Sequence, residues 1–230
     1  MSMPQQRIAL PIVTEWSIRR PYVYRYMPRA YVDEFFSSGK LRLSSFAAFA
    51  KHEDEERKDA AEGTGIIVNT DHQGEGQTLM AVMGQGHGAF VLCGSGRYSK
   101  DLSSAFGTDS GFRINDTTSF GCMISRMIPG FRGGLEGACI YADEKVVRRK
   151  AGRVNLENMK VTPEGKELDM GKMFSALGAI AGDDLFFLKK ERYQHQAEYR
   201  LLWSSQSAIG DFIEVSCPDA IQFCTRFEDL

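Results

Sequence analysis

The chain has 230 residues, of which 43% are hydrophobic, and this is enough to bury the core of one large domain. Its formal net charge of −2 at pH 7 disfavours a general electrostatic attraction to DNA or RNA. Five cysteines without a Cys-x-x-Cys pair and four scattered histidines disfavour a disulfide framework and a histidine-rich metal site.

Residues 1–20 are predicted to form an irregular lead-in to a single domain over residues 21–230. Pro4 and Pro11 interrupt the N-terminus, which therefore has no apolar run of signal-peptide length. No later segment approaches the length of a membrane span. We expect a cytoplasmic protein without a membrane partner.

The first predicted element is an aromatic strand over residues 22–27. Because side chains alternate along a strand, Arg25 shares a face with Val23 and lies opposite Tyr24. An arginine in this position either extends from a sheet edge to solvent or uses its planar guanidinium to hold a diphosphate.

A helix over residues 29–36, ended by Gly39, and a second strand over residues 41–46 are predicted next. Ser44 lies near the end of that strand, where a small hydroxyl can approach a ligand closely. A serine there is equally common as a helix cap.

Residues 47–62 predict a helix with an acidic surface. A solvated helix face is favoured over a metal site, since a metal needs several of these carboxylates to meet at one point. The carboxylates are Glu53, Asp54, Glu55, Glu56, Asp59 and Glu62.

Further strands are predicted at Gly65–Thr70, Thr78–Met83 and Ala89–Cys93. The glycines between them favour the turns of a β-meander, and they do not form a dinucleotide-binding loop because no helix follows them. A short helix over Lys100–Phe106 and a strand over Gly111–Ile114 come next.

The second half contains strands predicted at Phe120–Met127 and Gly137–Tyr141. Between them, the glycines of Pro129–Gly134 predict a mobile loop near a cleft that exposes Phe131, with a passive connection as the alternative. Leu168–Ala181 predicts a helix. The last predicted strands are Phe212–Val215 and Ile221–Thr225.

The stretch Tyr193–Trp203 is predicted to be a strand that follows a charged loop over Lys189–Arg192. Alternation places Gln196, Glu198 and Arg200 on one face. One interpretation is a solvated face with cross-strand charge pairs. The other is a cleft in which the Glu198 carboxylate holds a sugar hydroxyl and the Gln196 amide holds a second polar group.

The order of Arg25, Ser44 and Gln196-x-Glu198 resembles the arginine–serine–glutamate class of the ADP-ribosyltransferase superfamily. The resemblance implies a single α+β domain of mainly antiparallel sheets, with a split β core and a few flanking helices. It implies NAD as a substrate and no metal. In that family the arginine grips the NAD phosphates and ribose, the serine steadies the nicotinamide ribose, and the glutamate supports the oxocarbenium-like transition state.

Carried over to this sequence, the resemblance makes Glu198 and Gln196 the catalytic candidates. NAD would contact Arg25 with its neighbour Tyr24 on the first strand. It would also contact Ser44 and the neighbouring Ser45 at the end of the second strand.

The chain is also similar to a bacterial and phage family of unknown function that shares four short segments in the same order. The departures are the acidic helix, which replaces a Phe-Asn-Asp-Pro-Phe-Glu segment, and the second strand, which lacks the full Ser-Thr-Ser of the transferases. The matching segments are Tyr24-Arg25-Tyr26, Leu43-Ser44-Ser45, Val91-Leu92-Cys93-Gly94-Ser95 and Glu198-Tyr199-Arg200.

These resemblances lead us to expect an enzyme that transfers ADP-ribose from NAD to a protein or nucleic acid, as a toxin, phage or defence protein. Within the transferases, a Gln in place of Glu at the position of Gln196 is associated with acceptors other than arginine, such as an amide or a guanine base. An NAD glycohydrolase and a non-catalytic binding module of the same fold are the alternatives.

Overall fold

The structure is a computed structural model that describes residues 22–46, 48, 64–70, 78–84, 88–149, 182–207 and 210–229. The strands are β1 (Val23–Tyr26), β2 (Lys40–Ser45), β3 (Thr64–Thr70), β4 (Thr78–Gly84), β5 (Ala89–Ser95), β6 (Gly111–Ile114), β7 (Phe131–Ala138), β8 (Ile140–Tyr141), β9 (Val146–Arg149), β10 (Leu188–Lys189), β11 (Glu198–Ser205), β12 (Phe212–Ser216) and β13 (Cys224–Arg226). The α-helices are α1 (Arg29–Ser38), α2 (Lys100–Ala105), α3 (Thr117–Ser125) and α4 (Asp184–Phe187), and 3-10 helices cover Glu191–Gln196, Pro218–Phe223 and Phe227–Asp229.

The described chain has a mixed α+β fold whose main sheet is antiparallel and centred on β5. One edge of β5 pairs along its whole length with β11, with Ser95 opposite Glu198 at one end. The other edge is shared by two strands: β2 places Ser44 opposite Val91, and β1 places Tyr24 opposite Ser95. The sheet is therefore split between β1 and β2.

The remaining strands of the main sheet extend each side of this split. β12 pairs with β2, whereas β6 and β13 continue the sheet beyond β1. β7 pairs with the free edge of β11. Helix α1 connects the two strands that border the split.

Helix α1 confirms the predicted strand–helix–strand unit. It ends at Gly39, whose φ of +71° is left-handed, and a Cβ there would lie 2.3 Å from the backbone carbon of Cys217. The helix packs on the sheet through Phe35, whose ring stacks on Phe112 at a centroid distance of 4.7 Å. The largest fully buried side chains include Trp203, Arg200, Phe35, Phe112 and Phe120.

The predicted β-meander is wrong in its third strand. β3 and β4 form the expected hairpin, but they belong to a separate three-stranded sheet in which β9 runs parallel to β3. β5 instead enters the main sheet because both of its faces are apolar: Phe90 and Leu92 pack in one core, and Ala89 and Val91 pack in the other.

The strand predicted over Phe120–Met127 is also wrong, since these residues lie largely in helix α3. The Asp116 side chain caps the helix by accepting a hydrogen bond from the Ser119 backbone N–H at 3.1 Å. Phe120 and Ile124 are both fully buried, and their spacing of four residues places them on one helical face.

The loop predicted at Pro129–Gly134 is replaced by a turn and a strand. Gly130 has a φ of +63° and forms the turn, and β7 begins at Phe131. Gly134 lies inside the strand, opposite Trp203 of β11. The predicted exposure of Phe131 is confirmed, at 39%, but the residue lies in a strand and does not line the cavity described below.

Two predictions near the C-terminus differ in their boundaries. The strand expected at Ile221–Thr225 is a 3-10 helix followed by β13. The charged loop expected at Lys189–Arg192 begins in β10 and continues as a 3-10 helix.

The predictions for residues 1–20, for residues 168–181 and for nearly all of 47–62 lie outside the described residues. None of the described helices is long and apolar enough to cross a membrane.

Candidate functional site

A cavity of about 420 Å³ lies at the split between β1 and β2. This volume falls within the range of small-molecule sites, which is roughly 300 to 1,000 Å³. Arg25 lines it from β1 and Ser44 from β2. Gln196 and Glu198 line it from the far end of the chain. The structure therefore brings these four predicted residues to one cavity.

The other two predicted residues do not line this cavity. Tyr24 points to the opposite face of β1, where its ring lies 5.8 Å from that of Tyr98 and 6.2 Å from that of Phe227. Ser45 is 3% exposed, and its hydroxyl accepts a hydrogen bond from the Ala48 backbone N–H at 3.3 Å. Ser45 acts as a cap, the alternative role that a serine at a strand end suggested.

Arg25 is fixed within the split itself. Its Nη1 donates to the backbone oxygen of Cys93 at 2.6 Å. Cys93 lies on the stretch of β5 between the residues paired with β2 and the residue paired with β1. The guanidinium therefore meets a carbonyl at the gap between the two strands, and it also forms a wall of the cavity.

Gln196 and Glu198 do not share a strand, so the predicted alternation is wrong at this point. Gln196 ends a 3-10 helix, and Ala197 has a left-handed φ of 44° before β11 begins at Glu198. The Ala197 carbonyl accepts a hydrogen bond from the Gly96 N–H at 2.8 Å. This turn, not a strand period of two, brings both side chains to the cavity.

A cluster of buried ionic groups surrounds Glu198. Lys189 Nζ donates to Glu198 Oε2 and also to Gln196 Oε1, the latter at 2.8 Å. Arg200 Nε donates to Glu198 Oε1 at 2.6 Å, and its Nη1 donates to the Phe186 carbonyl at 2.6 Å. Because Gln196, Glu198 and Arg200 are 4%, 7% and 0% exposed, the interpretation as a solvated face is wrong.

Glu198 is ionised in this surrounding. Burial alone would raise the pKa of its carboxyl, but the charges of Arg200 and Lys189 and their hydrogen bonds outweigh burial and hold it well below its ordinary value. Burial raises the pKa of the Cys139 thiol, which lies 3.6 Å from Glu198 Oε1 and remains a neutral donor. A fixed negative charge therefore faces the cavity.

The backbone of Glu198 is also held. Its N–H donates to the Tyr141 hydroxyl oxygen at 2.7 Å. Burial raises the pKa of Tyr141 to about 12, so the phenol is neutral at physiological pH. Tyr141 belongs to β8, which pairs in parallel with β10, the strand that carries Lys189. Two strands thus converge on Glu198, with Tyr141 contacting its backbone and Lys189 its carboxylate.

Comparisons with protein-family models, with curated proteins and with solved structures find no match to this chain. The site is therefore interpreted from its own geometry. Among the described residues, no group of three or more His, Cys, Asp or Glu side chains is placed to hold a metal ion.

Sequence reasoning missed Lys189 and assigned Arg200 the wrong environment. Lys189 is 6% exposed, although it stands in a run of charged residues that suggests solvent. The available signal was its position directly after the apolar run Leu185–Leu188. A lysine that is buried needs a partner for its charge. Its partners, Gln196 and Glu198, are close in the sequence, and the 3-10 helix that brings them to Lys189 is not visible in the spacing.

The stability contributed by ionised Glu198 is expected to depend on pH in the acid range. A carboxyl whose pKa is lowered by folding contributes stability that is complete above its unfolded pKa, about 4.3 for glutamate, and is lost as the pH falls below it. The free energy of unfolding of the wild type should therefore fall more steeply below that pH than that of Glu198→Gln. Urea denaturation of both proteins across this pH range measures the free energy of unfolding. Parallel plots of this free energy against pH would contradict the prediction.

Proposed function

We propose that this protein uses NAD as a substrate and transfers its ADP-ribose group to a macromolecular acceptor, on an ADP-ribosyltransferase-type split β core. The observation that carries the proposal is the common position of Arg25, Ser44, Gln196 and Glu198 around one cavity at the split of the sheet. These residues come from three separated parts of the sequence, and their order resembles that of the transferases.

The chemistry assigned to each residue follows from its position. Cleavage of the bond between nicotinamide and ribose sends the bonding electron pair to the pyridinium nitrogen and develops positive charge on the sugar. An ionised Glu198 stabilises that charge, while the Arg25 guanidinium binds the diphosphate. The acceptor then bonds to the anomeric carbon and releases its proton to solvent.

Lys189 and Arg200 influence this step in two opposing ways. They keep Glu198 ionised, which the mechanism requires. They also place positive charge beside the developing oxocarbenium ion, which weakens the electrostatic stabilisation. The proposed reaction therefore depends on direct contact between the carboxylate and the sugar hydroxyl, since the net field of the cluster contributes less than an isolated carboxylate would.

The pairing of Glu198 with two buried cations favours a second function, a non-catalytic module that binds a nucleotide. Glu198 accepts hydrogen bonds from two buried cations and lies beside a thiol, a pattern also typical of a structural ion cluster. In that case the cavity binds NAD without cleaving it.

Incubation of the pure protein with NAD labelled in the adenylate group, together with separate pools of protein, DNA and RNA, tests the proposal. Transfer of label to one pool supports it, and free ADP-ribose alone indicates hydrolysis. Calorimetric binding without any product indicates the binding module. The absence of both binding and product at millimolar NAD would refute the transferase, the hydrolase and the NAD-binding module alike.

Two variants assign the residues in that experiment. Arg25→Gln is expected to weaken NAD binding about tenfold, because hydrogen bonds to charged groups contribute on that order. Glu198→Gln is expected to bind NAD but to yield no product. A melting curve of each variant checks that it is folded at the temperature of the assay.

A further inference from the structure

We propose that Arg42 is a second phosphate-binding residue of the cavity, on the wall opposite Arg25. This inference rests on the proposed function, because it names a further contact for a phosphate-bearing ligand of the same site. Arg42 lines the cavity from β2, whereas Arg25 lines it from β1. We infer that the phosphates of a bound ligand are shared between these two guanidinium groups.

The position of Arg42 follows from the alternation of β2. Leu41 and Leu43 point into the core and are 2% and 0% exposed. Lys40, Arg42 and Ser44 consequently share the other face, and all three line the cavity. Two residues along a strand span about 7 Å, so Arg42 lies roughly that far from Ser44 along the same wall.

The charges around the cavity distinguish Arg42 from its neighbours. Lys189 is paired with Glu198. Lys40 lies 3.0 Å from Glu34 and 3.5 Å from Glu214, so its charge is matched as well. Glu214 lies opposite Arg42 on β12 and also lines the cavity, but its carboxylate is the one 3.5 Å from Lys40. The Arg42 side chain makes no hydrogen bond or ion pair with any residue that the structure describes.

A stack on an aromatic ring orients the Arg42 guanidinium. Its Cζ lies 3.8 Å from the centroid of the Phe212 ring, on β12. Phe212 pairs with Ser44 and is 46% exposed. Because stacking uses the face of the guanidinium, its N–H groups point outward from the edge in the fork that suits phosphate oxygens.

The inferred ligand is one that carries a diphosphate, with Arg25 and Arg42 as its two cationic contacts. A phosphate forms charge-assisted, bidentate hydrogen bonds with a guanidinium, and these are stronger than the hydrogen bonds that a neutral sugar or base accepts from it. The adenosine part of a ligand should therefore bind independently of Arg42.

Isothermal titration with ADP-ribose, inorganic pyrophosphate and adenosine tests this, using the wild type, Arg42→Gln and Arg113→Gln. Arg113 is the matched control: its Cζ lies 4.3 Å above the Tyr22 ring, but it does not line the cavity. We expect Arg42→Gln to weaken the binding of ADP-ribose and pyrophosphate about tenfold, leaving any adenosine binding unchanged. Arg113→Gln should bind all three as the wild type does.

The outcomes separate this inference from the proposed function. Equal affinity of the wild type and Arg42→Gln for both phosphate ligands overturns the role of Arg42. An equal loss of adenosine affinity also overturns it, because it indicates a general distortion of the cavity. If the wild type binds pyrophosphate through Arg42 but binds no NAD, the role of Arg42 stands and the NAD proposal fails. If the wild type binds neither phosphate ligand, both fail.

Discussion

Replacing Glu198 by glutamine is expected to lower the free energy of unfolding by about 3 to 5 kcal/mol, because it leaves buried cations without their carboxylate. Lys189 and Arg200 have side chains that are 7% and 1% exposed, and both donate to Glu198. Because these side chains are almost fully buried, the cost is expected to be far above that of a surface pair.

A double-mutant cycle with Lys189→Met assigns this cost to the ion cluster. Lys189→Met alone leaves Glu198 paired with Arg200, whereas Glu198→Gln alone leaves two cations around a neutral amide. In the Lys189→Met background, Glu198→Gln leaves one cation, so its cost should fall by about 1 to 3 kcal/mol. Urea denaturation at pH 7 of all four proteins gives the coupling free energy.

The matched control is Asp33→Asn, which removes an exposed carboxylate from its 2.5 Å contact with Arg226. The Asp33 side chain is 51% exposed, and solvent screens a surface pair of this kind, so its removal should cost far less than the removal of a buried carboxylate. Equal costs for Glu198→Gln in the two backgrounds would refute the coupling. A cost no larger than that of Asp33→Asn would refute the buried cluster altogether.

The cycle also clarifies the catalytic test. A variant that loses turnover because it unfolds says nothing about chemistry, and Glu198→Gln carries that risk. The double variant Lys189→Met/Glu198→Gln has the same net charge in the cluster as the wild type and should be more stable than the single variant. Loss of turnover in both variants at a temperature where both are folded would assign the loss to the carboxylate.

The part of the fold that was predictable from the sequence depends on local signals. The unit of β1, α1 and β2 was predicted because Gly39 ends the helix and the strands around it alternate. Helix α3 is not evident from its pattern because its apolar residues also suit a strand, and the signal that favours a helix is the cap at Asp116. The path of β5 into the main sheet depends on which strands it meets, and periodicity does not contain that information.

The candidate site was predictable in its residue types but not in its geometry. Arg25, Ser44 and Glu198 were proposed from their order, and they line one cavity. The left-handed turn at Ala197 and the burial of Lys189 do not follow from strand alternation, because a 3-10 helix and this turn bring Lys189 to Glu198. Local chemistry therefore identified the candidates, whereas tertiary contacts determine the charge and position of each.

Replacing Gly94 by alanine is expected to disturb both the stability of the protein and the shape of the cleft. A Cβ at Gly94 would lie 2.5 Å from Cγ1 of Val23 and 3.1 Å from the carbonyl oxygen of Tyr24. Both residues belong to β1, so β1 must move away from β5. Overpacking of this kind typically costs about 1 to 3 kcal/mol.

The movement of β1 has a functional consequence because β1 also carries Arg25. When β1 shifts, the guanidinium loses its 2.6 Å contact with the Cys93 carbonyl and its distance to Ser44 changes. We therefore expect Gly94→Ala to weaken ADP-ribose binding about tenfold beyond any effect on folding, as measured by titration well below the melting temperature.

Gly133→Ala is the matched control, since that glycine also lies in the main sheet but a Cβ there meets no atom within 4 Å. It should change stability by less than about 0.5 kcal/mol and leave binding unchanged. Similar behaviour of the two variants in both measurements would show that the approach of β1 to β5 does not shape the cleft.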